Sequence, residues 1–148
     1  MKVKDCMTSH VISIGAQEPV SVAARLMARH NIGTLPVRAL DGTLAGIVTD
    51  RDITVRCVAS ERQASAVRVR DVMTPHPTSV SPDMSMTQAA AMMAKGRVRR
   101  LPVTEHGRVV GMLALSDLAR RDDSSMEAAE CLEQICSNVR RADETWDF

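Results

Sequence analysis

The chain reads Asp5-Cys6-Met7-Thr8 and then, 66 residues later, Asp71-Val72-Met73-Thr74. The same offset carries Ala23-Ala24-Arg25-Leu26-Met27 onto Ala89-Ala90-Ala91-Met92-Met93, and Leu35-Pro36-Val37 onto Leu101-Pro102-Val103. After a loop one residue shorter, Gly46-Ile47-Val48 matches Gly111-Met112-Leu113, and Asp52 matches Asp117. Ordered blocks at nearly one spacing mark an internal duplication. A unit of some sixty residues buries little surface alone and is marginal. Two related units can cover each other's sheet faces around a pseudo-two-fold axis, which makes the pair the folding unit.

Within each copy the order is strand, helix, strand, strand, helix. In the first, residues 11–14 are extended, Glu18-Pro19 turns, and a helix follows with Val22, Ala23, Leu26, Met27 and His30 along one face. Strands over 34–38 and 44–49 meet at Asp41-Gly42, a hairpin signal, and a second helix runs over about 50–59. In the second copy the extended stretch is 78–80, and Ser85-Met86-Thr87-Gln88 has the form of a capping box at the helix start. His106-Gly107 takes the hairpin turn, and the last helix covers about 116–121. Asn31 and Gly96 are the expected helix stops. The predicted fold class is α/β: repeats over 1–62 and 63–121 intertwined as one domain, followed over 122–148 by a helix and tail. The stretch 59–66 is the connector.

Composition narrows the function. Hydrophobic residues make up 45% of the chain, enough for a core, yet the only aromatics are Trp146 and Phe148. Packing therefore falls to aliphatic residues and ten Met, an adaptable filler. The net charge of +1 and the absence of core aromatics argue against nucleic acid and anionic membranes as partners. The basic residues are sixteen Arg against three Lys, a bias towards bidentate anion contacts. The N-terminus lacks the apolar core of a signal peptide, and no run reaches membrane-spanning length, so a cytoplasmic location is expected. There Cys6, Cys57, Cys131 and Cys136 are reduced thiols, read as small buried hydrophobes, with Cys6 or Cys136 open to oxidation if exposed. His10, His30, His76 and His106 show no metal-ligand spacing, and no nucleophile–base set emerges, so no enzymatic activity is expected.

The candidate chemistry lies in Gly46-Ile47-Val48-Thr49-Asp50-Arg51-Asp52, a buried strand that opens into a helix. Unpaired N–H groups at that start suit a phosphate, and Thr49 adds a hydroxyl. Asp52 brings two acceptor oxygens, a match for the paired hydroxyls of a ribose. Arg51 is a further phosphate candidate. Thr49-x-x-Asp52 also satisfies the pattern of a capping box, which needs no ligand.

With Asp5-x-Met7-Thr8, Leu35-Pro36-Val37 and Gly46 to Asp52, each followed by its second copy, residues 1 to about 121 resemble the CBS (cystathionine-β-synthase) domain family. The resemblance implies a sensor pair, often dimeric, with clefts between repeats for AMP, ADP, ATP, NAD or S-adenosylmethionine. It gives the matching Thr and Asp the phosphate and ribose roles. It assigns the adenine slot to Ile12, Ile32 and Pro36 in unit one and to Thr78, Val98 and Pro102 in unit two. It also implies a separate protein target, since the module regulates catalysis without performing it.

The second copy departs from the family pattern. Ala114 stands where Thr or Ser is usual, so both the hydroxyl and the cap are expected to be lost and nucleotide binding weakened, while Asp117 remains for ribose. Arg97, Arg99 and Arg100 precede the Leu101-Pro102-Val103 strand. Two readings fit them: guanidinium groups that neutralise a di- or triphosphate, or a solvated basic strand edge. Alternation puts Arg97 and Arg99 on one face and Arg100 on the other. The competing function is a ligand-free dimer acting in interaction or stress response. In the tail, Asp122 to Ser125 is a break, and Ala129, Leu132, Ile135 and Cys136 share a face of a helix expected over about 126–139. Trp146 and Phe148 then either end the chain without order or fill an apolar groove.

Overall fold

A computed structural model of the chain describes residues 1–120 and 125–136. The first copy comprises β1 (Ile14–Gly15), α1 (Val20–His30), β2 (Thr34–Arg38), β3 (Leu44–Thr49) and α2 (Asp50–Ile53), which continues as a π-helical turn over Thr54–Val58. The second comprises β4 (Thr74–Pro75), α3 (Met86–Gly96), β5 (Arg100–Glu105), β6 (Arg108–Ala114) and α4 (Leu115–Ala119), followed by α5 (Ser125–Cys136). The mixed α/β duplication and the C-terminal helix are as the sequence predicts.

The duplication extends to single pairings. Ile14 pairs in parallel with Val37, and Val80 pairs in parallel with Val103. That one bridge is all that remains in the second copy of the strand expected over 78–80. Both hairpins form. His106 and Gly107 adopt φ of 51° and 77°, so a two-residue turn joins Glu105 to Arg108. The tips also touch: Leu44 N–H donates to the Gly107 carbonyl at 2.9 Å, and Arg108 donates to the Asp41 carbonyl at 2.9 Å.

The helix starts and stops follow local chemistry. Ser85 accepts from the Gln88 N–H at 3.1 Å, and Gln88 Oε1 accepts from the Ser85 N–H at 3.2 Å, closing the expected capping box. Asn31 ends α1 in the left-handed conformation at φ 52°. The stop expected at Gly96 lies one residue later, at Arg97, also φ 52°. The repeat offset pairs Arg97 with Asn31. The Val98 N–H reaches the Met93 carbonyl and the Ile32 N–H reaches the Met27 carbonyl, so the same six-to-one closure fixes the cap whatever residue occupies it. His30, expected on the inner face of α1, is exposed beyond Val20, Ala23 and Met27.

The two copies exchange their leading segments. Thr74 pairs with Ile47 in β3, and Thr8 pairs with Met112 in β6. Val69 and Val72 are fully buried in the core built on Leu35, Val37 and Val48, whereas Val3 is fully buried in the core built on Leu101, Val103 and Leu113. The glycines of the repeat permit this crossing. A β-carbon on Gly46 would lie 2.5 Å from Met73 Sδ and 2.8 Å from the Thr74 carbonyl oxygen, and one on Gly111 would meet Met7 Sδ and lie 3.1 Å from the Thr8 carbonyl oxygen. Only a residue without a side chain lets the partner copy's lead-in close on the strand. Asp83 holds the outer end of the first lead-in, 3.0 Å from Lys2 and 2.9 Å from Lys4, and these two ammonium groups lower its pKa to about 2.

α5 covers the second copy. Ala128 and Cys131 are buried against its core, and burial raises the Cys131 thiol pKa. The inward face of α5 is therefore Ala128, Cys131 and the partly buried Ile135, whereas Ala129, Leu132 and Cys136 are exposed. The face expected from spacing is rotated by about one residue, because α5 meets α3 and α4 on two sides. Cys57 is buried and Cys6 partly so. The break at 122–124, the helix end over 137–139, and Trp146 and Phe148 lie outside the described residues.

Val3→Ala will lower the free energy of unfolding in urea by about 2 kcal/mol. Although Val3 belongs to the first copy, amide exchange will quicken in β5 and β6 before β2 and β3, and Val69→Ala will show the reverse. The Asp83 carboxylate, with its folded pKa below the ordinary value, contributes stability that is complete above about pH 4. That contribution is lost as pH falls through about 2. An NMR titration of its side chain will give the midpoint, and added salt will raise it.

Candidate functional site

The lead-in exchange places residues of the two copies face to face. One cavity, of about 250 Å³, is lined by Thr8, His10, Val11, Ile12, Ile32, Thr34 and Pro36 from the first copy. Arg100, Met112, Ala114, Ser116, Asp117 and Arg120 from the second complete it. The Thr8–Met112 bridge brings this about: the chain leaving Thr8 is bound along β6 and runs on past α4. The apolar trio Ile12, Ile32 and Pro36 thus sits with Asp117 of the other copy, across the repeat boundary.

Asp117 is the polar centre of this cleft. Its side chain is 12% exposed, one oxygen accepts from the Ala114 N–H at 2.8 Å, and the other lies 3.8 Å from the Arg120 guanidinium. The cap expected to vanish at Ala114 is only half lost. Alanine has no side-chain acceptor, but the reciprocal bond from the carboxylate needs only the backbone N–H. The Arg120 side chain is 78% exposed, so this ion pair is weak and easily exchanged.

The corresponding place in the first copy keeps the whole box. Thr49 Oγ1 accepts from the Asp52 N–H at 3.1 Å, and an Asp52 oxygen accepts from the Thr49 N–H at 2.9 Å. The other Asp52 oxygen has no partner among the described residues. The capping reading of Thr49-x-x-Asp52 is therefore correct as geometry, and it leaves one carboxylate oxygen available. Asp50 turns back to accept from the Arg51 N–H at 2.9 Å and fills the space over Gly33. Arg51 is exposed, as are Thr78 and Val98, whereas Pro102 is buried.

The three arginines do not alternate as a strand would. Arg97 is the cap of α3, and β5 begins only at Arg100. Arg100 lines the cleft; Arg99 and Arg100 together border a second concavity against α5, and Arg97 lines neither. His10, read from sequence as having no metal role, lines the cleft together with Ser116 and Arg120. Ser116 and Arg120 stand beside Asp117 along the chain, whereas only the fold brings His10 to it. A concavity of about 910 Å³ is lined by the first copy alone and holds none of the candidate binding residues. Among the described residues, no group of His, Cys, Asp and Glu could hold a metal ion, and no helix is long and apolar enough to cross a membrane.

A family model for the CBS domain matches residues 3–58 and again residues 69–124. The chain belongs to the CBS-domain family. Its two CBS domains form a pair of the kind that serves as a regulatory module, and neither match is to a catalytic family. The CBS domain-containing protein YhcV of Bacillus subtilis is 38% identical over 133 residues, spanning 90% of this chain and 94% of that protein. The crystal structure of Hypoxic Response Protein I with two coordinated zinc ions superposes with a TM-score of 0.76 at 30% identity, covering 82% of this chain and 98% of that one. The CBS domain pair of MJ0100, solved in complex with 5′-methylthioadenosine and S-adenosyl-L-methionine, superposes with a TM-score of 0.72 at 27% identity, covering 81% of this chain and 94% of that one.

Ala114→Thr will complete the second capping box and raise stability by about 1 kcal/mol in equilibrium urea denaturation. Asp117→Ala will lower it by a similar amount through loss of the remaining cap bond.

Proposed function

We propose that this CBS pair is a ligand-sensing module that binds an adenosine-containing nucleotide between its repeats and signals to a separate protein. The observation that carries this reading is the pairing of an apolar slot from one repeat with a shielded carboxylate from the other, in one cleft. Ile12, Ile32 and Pro36 suit a purine face; Asp117, already held by the Ala114 N–H, has an oxygen to offer a ribose diol once Arg120 swings away. Arg100 and Arg120 then flank the position of the phosphates.

The cavity of about 250 Å³ falls just below the ~300–1,000 Å³ of ordinary small-molecule sites. That size suits one nucleoside with its phosphates at the rim and favours AMP, ADP or ATP over the larger NAD. S-adenosylmethionine remains in the class because the MJ0100 pair was solved with it. We extend the proposal by the repeat correspondence: Thr49, Arg51 and Asp52 serve, with Thr78, Val98 and Pro102, as a second site of the same design. Here Thr49 supplies the hydroxyl that Ala114 lacks.

A ligand that touches both repeats shifts their relative tilt only by the difference in its affinity for the two arrangements. We further propose that the pair works in the cytoplasm as a homodimer and presents this change to its protein target.

Thermal shift and calorimetry across AMP, ADP, ATP, NAD and S-adenosylmethionine will show saturable binding of at least one adenosine compound. Asp117→Ala will weaken the cleft described above by at least about tenfold, and Asp52→Ala will do the same for its counterpart. A folded protein that responds to no compound of the panel contradicts the reading.

A further inference from the structure

The exposed residues of α5 include the apolar Met126, Ala129 and Leu132 beside Glu130, Glu133 and Gln134. Met126 and Leu132 are 75% and 46% exposed, and Ala129 is exposed between them. Leu132 and Ala129 also border a concavity. With Leu115 and Ala119 of α4 they wall a cavity of about 500 Å³, well inside the range of small-molecule sites. Arg99 and Arg100 stand at its edge and are the only charged residues in the lining. Neither guanidinium has a hydrogen-bond or ion-pair partner among the described residues. The site therefore joins an apolar wall to two cations that no carboxylate of the described residues satisfies.

We propose that this groove binds a small amphipathic anion: a carboxylate on a medium-length saturated chain, free in solution. The chain lies along α4 and α5, and the carboxylate meets Arg99 and Arg100, whose planar donors match two oxygens. A bare anion would leave Leu132 exposed, and a neutral apolar molecule would leave the guanidinium groups unpaired. The groove shares Arg100, Ala114 and Ser116 with the nucleotide cleft, whereas Arg99 and Leu132 belong to the groove alone. Because α5 supplies one wall, the site arises from an element outside the two CBS domains, which the family model matches only as far as residue 124.

The test uses the full chain, titrated with octanoate, octanol and octylamine below their aggregation concentrations, with ¹H–¹⁵N NMR and calorimetry as readouts. Octanoate is expected to bind saturably and to shift the amides of Arg99, Leu115, Ala119 and Leu132, with octylamine weaker by at least about tenfold. Each added methylene from hexanoate to octanoate is expected to tighten binding roughly fourfold. Arg99→Gln is expected to lose about tenfold and Leu132→Glu to abolish binding; both substitutions are at exposed positions, and both leave adenosine binding at the Asp117 cleft intact. The proposal is overturned by non-saturating shifts, by octylamine binding as well as octanoate, or by unchanged affinity in both variants. Co-sedimentation with anionic phospholipid vesicles, without saturable octanoate binding, also overturns it, in favour of a lipid surface. Loss of adenosine binding alone bears on the nucleotide reading and not on this one.

Discussion

Everything in this structure depends on the exchange of lead-in segments between the copies. Thr8 is bound to β6 and Thr74 to β3, and each lead-in places valines in the other copy's core. A hairpin packed against one helix and one short turn leaves a sheet edge unpaired and part of its apolar face bare. Closing that edge with a segment of the same copy would satisfy each unit separately and leave nothing to hold the two together. Closing it with a segment of the other copy makes each half's core incomplete alone. The two then fold as one body, and both line the space between them.

The same exchange builds the cleft. The chain that leaves Thr8 has to run over the opposite repeat before it reaches its own helix α1, and in doing so it carries Val11 and Ile12 to Asp117. In the proposed function a ligand there touches both halves, which links binding to the angle between repeats. The glycines at 46 and 111 serve function indirectly. They let the lead-ins approach the strands closely enough for the cleft walls to meet.

The two halves have diverged at their corresponding helix starts. The first keeps a full Thr–Asp box with Asp50 folded over Gly33; the second has Ala114, Leu115 and Arg99 at those three places. Loss of the threonine hydroxyl and the folded-back carboxylate, with arginine in place of glycine, leaves more positive charge in the second half. There the described cleft and the α5 groove share a wall. Corresponding helix starts of a duplicated scaffold thus carry different chemistry.

The sequence by itself determined the duplication, the order of elements, both hairpins, the Ser85–Gln88 box and the membership of Thr49, Asp52 and Asp117 in a recurring motif. These rest on local chemistry: turn glycines, caps and apolar periodicity act within a few residues, and the 66-residue offset repeats them. Local pattern did not place the left-handed cap at Arg97, the inward face of α5, or the partners of Asp117. The cap follows from closure of the last helical turn, which tolerates Arg where Gly precedes it. The face of α5 is chosen by α3 and α4, and a run containing Ala128, Ala129, Cys131 and Leu132 offers two nearly equal apolar stripes. The pairing of Ile12 and Pro36 with Asp117 is decided by which copy each lead-in crosses to. That choice depends on contacts between residues about a hundred positions apart, which only the assembled tertiary structure fixes.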